Sequence, residues 1–172
     1  MKLENNSILL REIRKDDLVL LNKLINDPVI NKTTVGDSKH VSMEEQLRWF
    51  ENLKKSSDIR FIIANKNDEP LGTCIINQID EKNHSCSIGI KLDQTAQGKG
   101  LGTQTIRLVL PYIFDVLKMH RIFVEILESN IASIKLFEKC GFKIEGKHID
   151  AVYKNGKYVN LLTLGLINER NR

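Results

Sequence analysis

Apolar residues recur along the chain at two spacings, and each spacing predicts a different kind of element. Near the start, apolar residues recur every three or four positions after Asp16 or Asp17 and again, as Leu47, Phe50 and Leu53, after Ser42, which predicts two helices. Pro28 is expected to stop the first helix. Ser42 with Glu45 matches the capping box that opens a helix.

Runs of β-branched and alternating apolar residues elsewhere in the chain predict strands. The predicted strands cover residues 7–14, 60–65, 71–79, 85–92, 121–127, 142–153 and 157–166. Two further helices are predicted, one over residues 103–117 with a kink or division at Pro111, and one from the cap Asn130 to Gly141. The Asn-Gly pair at 155–156 is a strong signal for a type I′ hairpin turn between the last two strands.

The resulting order, β-α-α-β-β-β-α-β-α-β-β, indicates a mixed α/β chain around one twisted sheet, and we expect residues 1–172 to form a single domain. With 41% hydrophobic and 28% charged residues, the composition is that of a globular protein. The net charge of +4 is mild and scattered, which argues against a nucleic-acid-binding arm but suits a polyanionic cofactor. The chain has no signal-peptide pattern and no apolar run of about 18 residues, so we expect a cytoplasmic protein with neither membrane nor nucleic-acid partners.

The cysteines exclude two further classes of protein. Cys74, Cys86 and Cys140 are odd in number and form no C-x-x-C pair. This argues against a disulfide framework and against a structural zinc site. We therefore expect reduced, mostly buried thiols and no metal.

The most informative segment is a glycine-rich turn between a predicted strand and a predicted helix. Gly98, Gly100 and Gly102 let backbone amides converge at the start of that helix, which makes a pyrophosphate cradle. The G-K-S/T of a P-loop is absent. The dinucleotide fingerprint G-x-G-x-x-G is incomplete from Gly98, because Thr103 occupies the position of its third glycine. Glu125 nevertheless lies where a ribose-binding acid would be expected. The pattern Q-x-x-G-x-G, beginning at Gln97, is complete.

Three segments then follow in a recognisable order and spacing. They are the turn at 97–102, the strand end E-I-L-E-S-N at 125–130, and the helix A-S-I-K-L-F-E-K-C-G-F at 132–142. Together they resemble the GCN5-related N-acetyltransferase (GNAT) superfamily, over nearly the whole chain. The likeness is strongest to the branch that contains ribosomal-protein N-terminal, spermidine and nucleotide-amino-sugar acetyltransferases.

The resemblance implies a fold and a cofactor. The fold is a single twisted, mostly antiparallel sheet of about seven strands flanked by about four helices, with a splayed parallel strand pair at 87–92 and 122–127. Acetyl-CoA is expected in the resulting V as a co-substrate, with the pantetheine on the strand and the pyrophosphate on the turn. The implied cofactor-binding residues are Ile90, Lys91, Leu92, Gln97, Gly98, Lys99, Gly100, Leu101, Gly102, Thr103, Asn130, Ser133 and Phe137.

The resemblance also implies direct transfer of the acetyl group to a primary amine through a tetrahedral intermediate. An alkylamine has a pKa of about 10.4, so a base must take its proton. Glu125 is the first candidate, because alternation along its strand turns it away from the apolar side chains, and His84 is the second. Asp80 and Glu81 lie near the same cleft.

Two family features are missing. Phe137 stands where many relatives have a proton-donating Tyr, and Ser87 stands where many members of the branch have Glu. Phe cannot donate a proton, so Ser133, one turn earlier, becomes the candidate donor to the leaving thiolate. The loss of the acid at Ser87 makes a polyamine a poorer acceptor.

The acceptor side is the least determined. The polar segment 31–40 is expected to be a loop that contacts substrate, and Trp49 either lines the pocket or packs in the core. The acceptor is a protein N-terminus, an amino sugar or a polyamine, and the last hairpin could mediate a homodimer. Two alternatives remain: a non-catalytic acyl-CoA sensor and a dinucleotide-dependent oxidoreductase.

Overall fold

The computed structural model describes residues 2–36 and 39–169. The helices are α1 (Leu18–Asn26), α2 (Pro28–Thr33), α3 (Met43–Glu51), α4 (Leu101–Pro111) and α5 (Ile131–Lys139). The strands are β1 (Lys2–Glu4), β2 (Ile8–Arg11), β3 (Ile59–Asn65), β4 (Pro70–Asp80), β5 (Ser85–Leu92), β6 (Arg121–Leu127), β7 (Lys143–Lys154) and β8 (Lys157–Ile167).

Over the described residues the eight strands form one sheet in the order β1-β2-β3-β4-β5-β6-β8-β7. Neighbouring strands are antiparallel except β5 and β6, which are parallel. The expected mixed α/β fold with a parallel pair in a mostly antiparallel sheet is confirmed. The sheet has one strand more than predicted, because the short segment β1 pairs with β2 at the edge.

The helix count also differs from the prediction, with five α-helices in the described residues where about four were expected. The first helix ends at Asn26, before Pro28, as predicted, but Pro28 also opens the extra helix α2. The Asp27 side chain accepts hydrogen bonds from the amides of Val29 and Ile30, and proline is tolerated in the first helical turn. The segment predicted as a loop from residue 31 therefore begins inside α2, and Asp37 and Ser38 lie outside the described residues.

The prediction that Asp16 or Asp17 caps α1 is wrong. The Asp17 carboxylate instead binds the Arg11 guanidinium at 2.7 and 2.9 Å and accepts the Arg14 amide at 2.7 Å. A 3-10 turn precedes the helix, and no side chain caps it. The aspartate is therefore used to fix the end of β2 rather than the start of α1.

Other local predictions are confirmed. Ser42 and Glu45 form the capping box of α3. Pro111 ends α4, and the chain continues as a π turn over Tyr112–Val116. The hairpin turn has φ 50° at Asn155 and 83° at Gly156, as a type I′ turn requires.

The two faces of the sheet are covered unequally. On one, the α4–α5 face, Ile106 and Phe137 belong to a large core that includes Ile122 and Val124 of β6. On the other, the α1–α3 face, a smaller core joins Leu21 to other apolar residues. No described helix is long and apolar enough to span a membrane.

The parallel pair separates in the middle of the sheet. Residues 85–87 of β5 pair with residues 121–123 of β6, and the two strands then part. On the other side of β5, β4 carries a bulge between Asn77 and Asp80, with Gln78 in the left-handed region at φ 50°. The sheet thus opens into a V, with irregular backbone beside its apex.

Candidate active site

A cavity of about 700 Å³ lies where β5 and β6 part. Its lining comes from α1, from the end of α2 and the segment after it, from α3, from strands β3 to β6, and from α5 with its cap. It therefore reaches both faces of the sheet through the V. A cleft of this size is typical of small-molecule sites.

The open edge of β5, residues 88–92, forms one side of the V. It pairs with β4 on its other side but has no paired residue on β6. Ile90 and Lys91 line the cavity, and the Leu92 carbonyl accepts a hydrogen bond of 3.0 Å from the Gln97 side chain. Gln97 thus closes the loop after the strand, and the backbone groups of the open edge are available to a ligand.

The glycine-rich turn lies beyond this edge and leads into α4. Gly98 and Gly100 have φ of 74° and 75°, which only glycine adopts readily, and a side chain at either would meet no neighbour within 4 Å. The Gln104 amide bonds to the Gly100 carbonyl, so the preceding amides at the helix start have no partner within α4. Those amides, of Leu101, Gly102 and Thr103, lie at a helix N-terminus next to the exposed Lys99, and a helix N-terminus favours negative charge.

Gly102 has a different reason to be glycine. It is buried, and a Cβ there would come within 2.3 Å of the Leu136 side chain on α5. Its small size lets α4 and α5 approach each other. The prediction that Gly102 admits the pyrophosphate by its own lack of a side chain therefore has a competing structural explanation.

Three contacts join the helices of the α1–α3 face to the two sides of the V. Lys23 of α1 forms an ion pair with Asp93, directly after β5. Gln94 donates to the Asp27 carboxylate at 2.7 Å. On the β6 side, Asn130 caps α5 by accepting the Ser133 amide at 3.1 Å and donates to the Thr33 carbonyl at 2.9 Å.

Comparisons with known proteins identify this architecture. The sequence profile of the acetyltransferase (GNAT) domain matches residues 7–143. A probable N-acetyltransferase of Bacillus subtilis is 35% identical over 138 residues, which is 79% of this chain and 74% of the relative. The spermidine N(1)-acetyltransferase of Vibrio cholerae is 22% identical over 166 residues, 96% of each chain.

The chain belongs to the GNAT acetyltransferase family. A crystal structure of the Vibrio cholerae spermidine N-acetyltransferase in complex with CoA and spermine has the same fold, with a TM-score of 0.88 at 23% identity over 95% of this chain and 96% of that one. The resemblance seen in the sequence is confirmed, and the chain is an N-acetyltransferase by family. The oxidoreductase alternative is wrong, since its parallel βαβ sheet is absent from the described residues.

In this GNAT domain, Glu125, Ser133 and Phe137 meet at one cavity. Glu125 lies on β6 between the buried Val124 and Ile126, so its side chain is on the α1–α3 face. Within the described residues, neither the Glu125 carboxylate nor the Ser133 hydroxyl makes a hydrogen bond or ion pair. Both groups are therefore available to a ligand.

The other candidate bases lie elsewhere. His84 is exposed in the turn between β4 and β5 and is not part of the cavity lining; its carbonyl accepts the amides of His120 and Arg121. Asp80 accepts the Asn83 amide and side chain, which lowers the pKa of the Asp80 carboxyl and makes it a weaker base. Glu81 is exposed in the same turn. Of the predicted bases, only Glu125 reaches the cavity.

Trp49 lines the cavity and also packs on the smaller core, so both interpretations made from the sequence apply.

The cysteine thiols are not part of the cavity lining. Burial raises the pKa of Cys74 to about 12 and that of Cys86 to about 11, and all three cysteines are free. In the described residues, no group of three or more His, Cys, Asp or Glu side chains could hold a metal ion.

Several residues of the site were missed by sequence reasoning. Arg60 of β3 lines the cavity, and so does the Lys91 side chain, for which only a cofactor contact was predicted. On the β8 side of β6, His148 Nε2 is 3.0 Å from Thr163 Oγ1, and Thr163 is paired with Glu125 across the two strands. The alternation of side chains along a strand predicts the face of the sheet on which each of these residues lies. Only the pairing register of the strands shows which of them are neighbours.

Proposed function

We propose that this GNAT domain, residues 1–172, transfers the acetyl group of acetyl-CoA to a primary amine that enters from the α1–α3 face. The observation that carries the proposal is the separation of β5 from β6 after residue 87, which leaves the open edge of β5 facing a cavity of about 700 Å³. The cofactor assignment is also supported by the Vibrio cholerae relative, whose structure is described as a complex with CoA.

The residues of the V fit acetyl-CoA along its length. The amides at the start of α4, Lys99 and the left-handed Gly98 and Gly100 suit the pyrophosphate, because amides and the helix dipole favour negative charge there. Backbone groups of residues 90–92 suit the pantetheine and the thioester carbonyl, whose developing oxyanion an amide would stabilise. Ser133, Phe137 and Asn130 close the other side.

The amine nitrogen attacks the thioester carbon, a C–N bond forms, and the C–S bond of the tetrahedral intermediate breaks. In this proposal Glu125, directly or through a water, takes the proton that the nitrogen loses. The carboxylate is suited to this role because no described protein group neutralises it. Positioning of the two substrates in the V supplies a further part of the rate enhancement.

The departing thiolate takes a proton from Ser133 or from water. Ser133 and Phe137 are one turn apart on the same side of α5, and Phe137 packs edge-on against Phe142 at 5.0 Å between ring centroids. The position of the usual tyrosine is therefore filled by a buried ring that donates no proton. A thiol has a pKa of about 8.5, so the thiolate needs only modest help from an acid in order to leave.

We also propose self-association through β7. This strand forms an edge of the sheet and is exposed over most of its length, with Ile149 and Tyr153 among its exposed large side chains. Unpaired edges of this kind are ready to pair with a second chain. Light scattering that gave a monomer mass at working concentration would refute this self-association.

Cell fractionation would test the cytoplasmic location that is expected from the sequence.

The experiment that tests the main proposal is thiol release from acetyl-CoA with a panel of amines. The panel holds a ribosomal-protein N-terminal peptide, spermidine, which the Vibrio cholerae relative is named for, and a UDP-linked 4-amino sugar. Release that depends on one of these amines supports the enzyme and selects its acceptor. Binding of acetyl-CoA without release from any amine would instead support the sensor alternative.

A further inference from the structure

Two cations face the acceptor side of the cavity. Arg60 and Lys91, called here the basic corner, both line it. Arg60 of β3 is opposite Ile75 of β4, which is opposite Gly89 of β5, and Lys91 lies two residues beyond Gly89 on the same face. Gly89 has no side chain, and the Ile75 side chain lies over it, with Ile75 Cγ2 3.0 Å from where a Cβ at Gly89 would be, so the floor between the two cations is apolar and carries no counterion.

Arg60 is incompletely satisfied by the protein. Its Nη2 contacts the Asp58 carboxylate at 2.9 Å, and its guanidinium carbon lies 5.5 Å from the Trp49 ring centroid. Its Nε is buried and has no hydrogen-bond partner in the described residues. Buried donors without an acceptor are rare in native proteins, and each one needs an explanation.

Lys91 has no counterion among the described residues, where its ammonium makes neither a hydrogen bond nor an ion pair. Burial lowers the pKa of Lys91, and the positive charges of Arg60 and Lys154 lower it further. Such a group gains most from an anion that arrives with a ligand. Glu125, on β6, is the one acid among the described residues that line the cavity.

The basic corner is not placed to bind the cofactor pyrophosphate. Ile88 and Ile90 of β5 belong to the core on the α4–α5 face, so Lys91 between Ile90 and Leu92 projects from the opposite face. An anion at the basic corner must therefore come from the other substrate.

We propose that the basic corner binds an oxyanion of the acceptor, a carboxylate or a phosphate, so that this enzyme acetylates an amine that carries negative charge and not a polyamine. The proposal rests on the proposed function, because it names the acceptor of that same site. The amine then lies near Glu125 on the β6 side of the V, and the oxyanion lies near Arg60 and Lys91 on the β3–β5 side. A polyamine would bring further positive charge to two cations that already repel each other.

The test uses pairs of amines that differ only in charge. One pair is the peptide Ala-Asp-Glu and its neutral counterpart Ala-Asn-Gln-amide; another is 6-aminohexyl phosphate and 6-aminohexanol; spermidine completes the set. The intact enzyme should show kcat/KM about tenfold or more higher for the anionic member of at least one pair, since about 1.4 kcal/mol of charge recognition gives that factor. The pair that responds distinguishes a carboxylate from a phosphate.

Substitution then assigns the preference to the basic corner. Lys91→Met should abolish it by lowering kcat/KM for the anionic amine about tenfold, mainly through the KM for that amine, and by lowering kcat/KM for the neutral amine much less. Lys91→Arg should restore most of it, and Lys15→Met, at an exposed lysine outside the cavity, should leave it unchanged. Retained acetyl-CoA binding shows that each variant is folded.

Three outcomes overturn the proposal: equal rates within both pairs, spermidine as the best acceptor, or a charge preference that survives Lys91→Met and Arg60→Gln. Each of these includes turnover and leaves the acetyltransferase proposal standing. Failure of every amine to release thiol would instead refute the proposed function itself.

Discussion

The two faces of the sheet teach different lessons about how a site is encoded. On the α4–α5 face, each feature is encoded locally: the glycine turn runs directly into the start of α4, and Asn130 directly precedes α5, the helix that it caps. On the α1–α3 face, Arg60, Lys91 and Glu125 come from three strands and meet only through register. The first face carries the features shared with the family, and the second carries the residues that we propose select the acceptor.

Among the substitutions that test this difference between the two faces, the largest effect is expected on the α1–α3 face. Glu125→Gln should lower kcat about 100-fold, because the amide cannot take the amine proton. The KM for acetyl-CoA should stay unchanged, since Glu125 is not among the groups that we propose to bind the cofactor. The measurement is steady-state thiol release with the amine that the panel selects.

A matched control is Glu44→Gln on α3, where the carboxylate is 79% exposed and pairs weakly with Arg48. It should leave kcat as in the unmodified enzyme. An unchanged kcat and pH profile in Glu125→Gln would remove Glu125 from the mechanism.

On the α4–α5 face, Gly100→Val should raise the KM for acetyl-CoA about tenfold. A side chain in the left-handed region costs about 1–2 kcal/mol, and relief of that strain would displace the amides of the turn. Gly146→Val provides the control, because a side chain at Gly146 meets no neighbour and its φ is not in the left-handed region. Equal cofactor affinity in both variants would contradict the role of the turn.

Asn130 belongs to both faces, and its substitution separates two functions. Asn130→Ala should lower the free energy of unfolding by about 1 kcal/mol through loss of the α5 cap, which corresponds to about 2–4 °C in Tm for a chain of this size. Asn130→Asp keeps the cap oxygen but loses the donor to Thr33. A Tm for Asn130→Asp as low as that for Asn130→Ala would show that the contact with Thr33, and not the cap, is the stabilising one.

The smallest expected effect is at the ion pair of Asp93 with Lys23. Hydrogen bonds from Lys23 and Thr95 lower the pKa of Asp93 to about 2, against about 3.9 for an unfolded aspartate. The stabilisation is therefore fully present above about pH 4 and is lost as the pH falls through about 2. Asp93→Asn should unfold more easily than the unmodified chain at pH 7, by at most about 1 kcal/mol since Lys23 is exposed. Thermal unfolding at pH 7 and at pH 2 checks this, since most of the difference should be lost at pH 2, and a difference as large at pH 2 as at pH 7 would contradict the assignment.

The sequence was sufficient where a local rule decides the structure. The strands at 85–92 and 121–127 have the predicted bounds, and the cap at Asn130 and the hairpin at 155–156 follow from single residues. It was insufficient where distant groups compete. Asp17 binds Arg11 in preference to capping a helix, and β1 exists because β2 offers it an edge. The basic corner was missed for the same reason. No local sequence pattern shows that β3 and β5, which carry Arg60 and Lys91, both pair with β4.

The burial of Cys74 and Cys86 has a practical consequence for the thiol-release assays proposed above. An aromatic disulfide reagent detects thiolates, and with pKa values of about 12 and about 11 these two side chains present almost none at pH 8. Cys140 is only partly buried, yet burial raises its pKa as well. At working pH the absorbance therefore reports free coenzyme A with little contribution from Cys74 and Cys86.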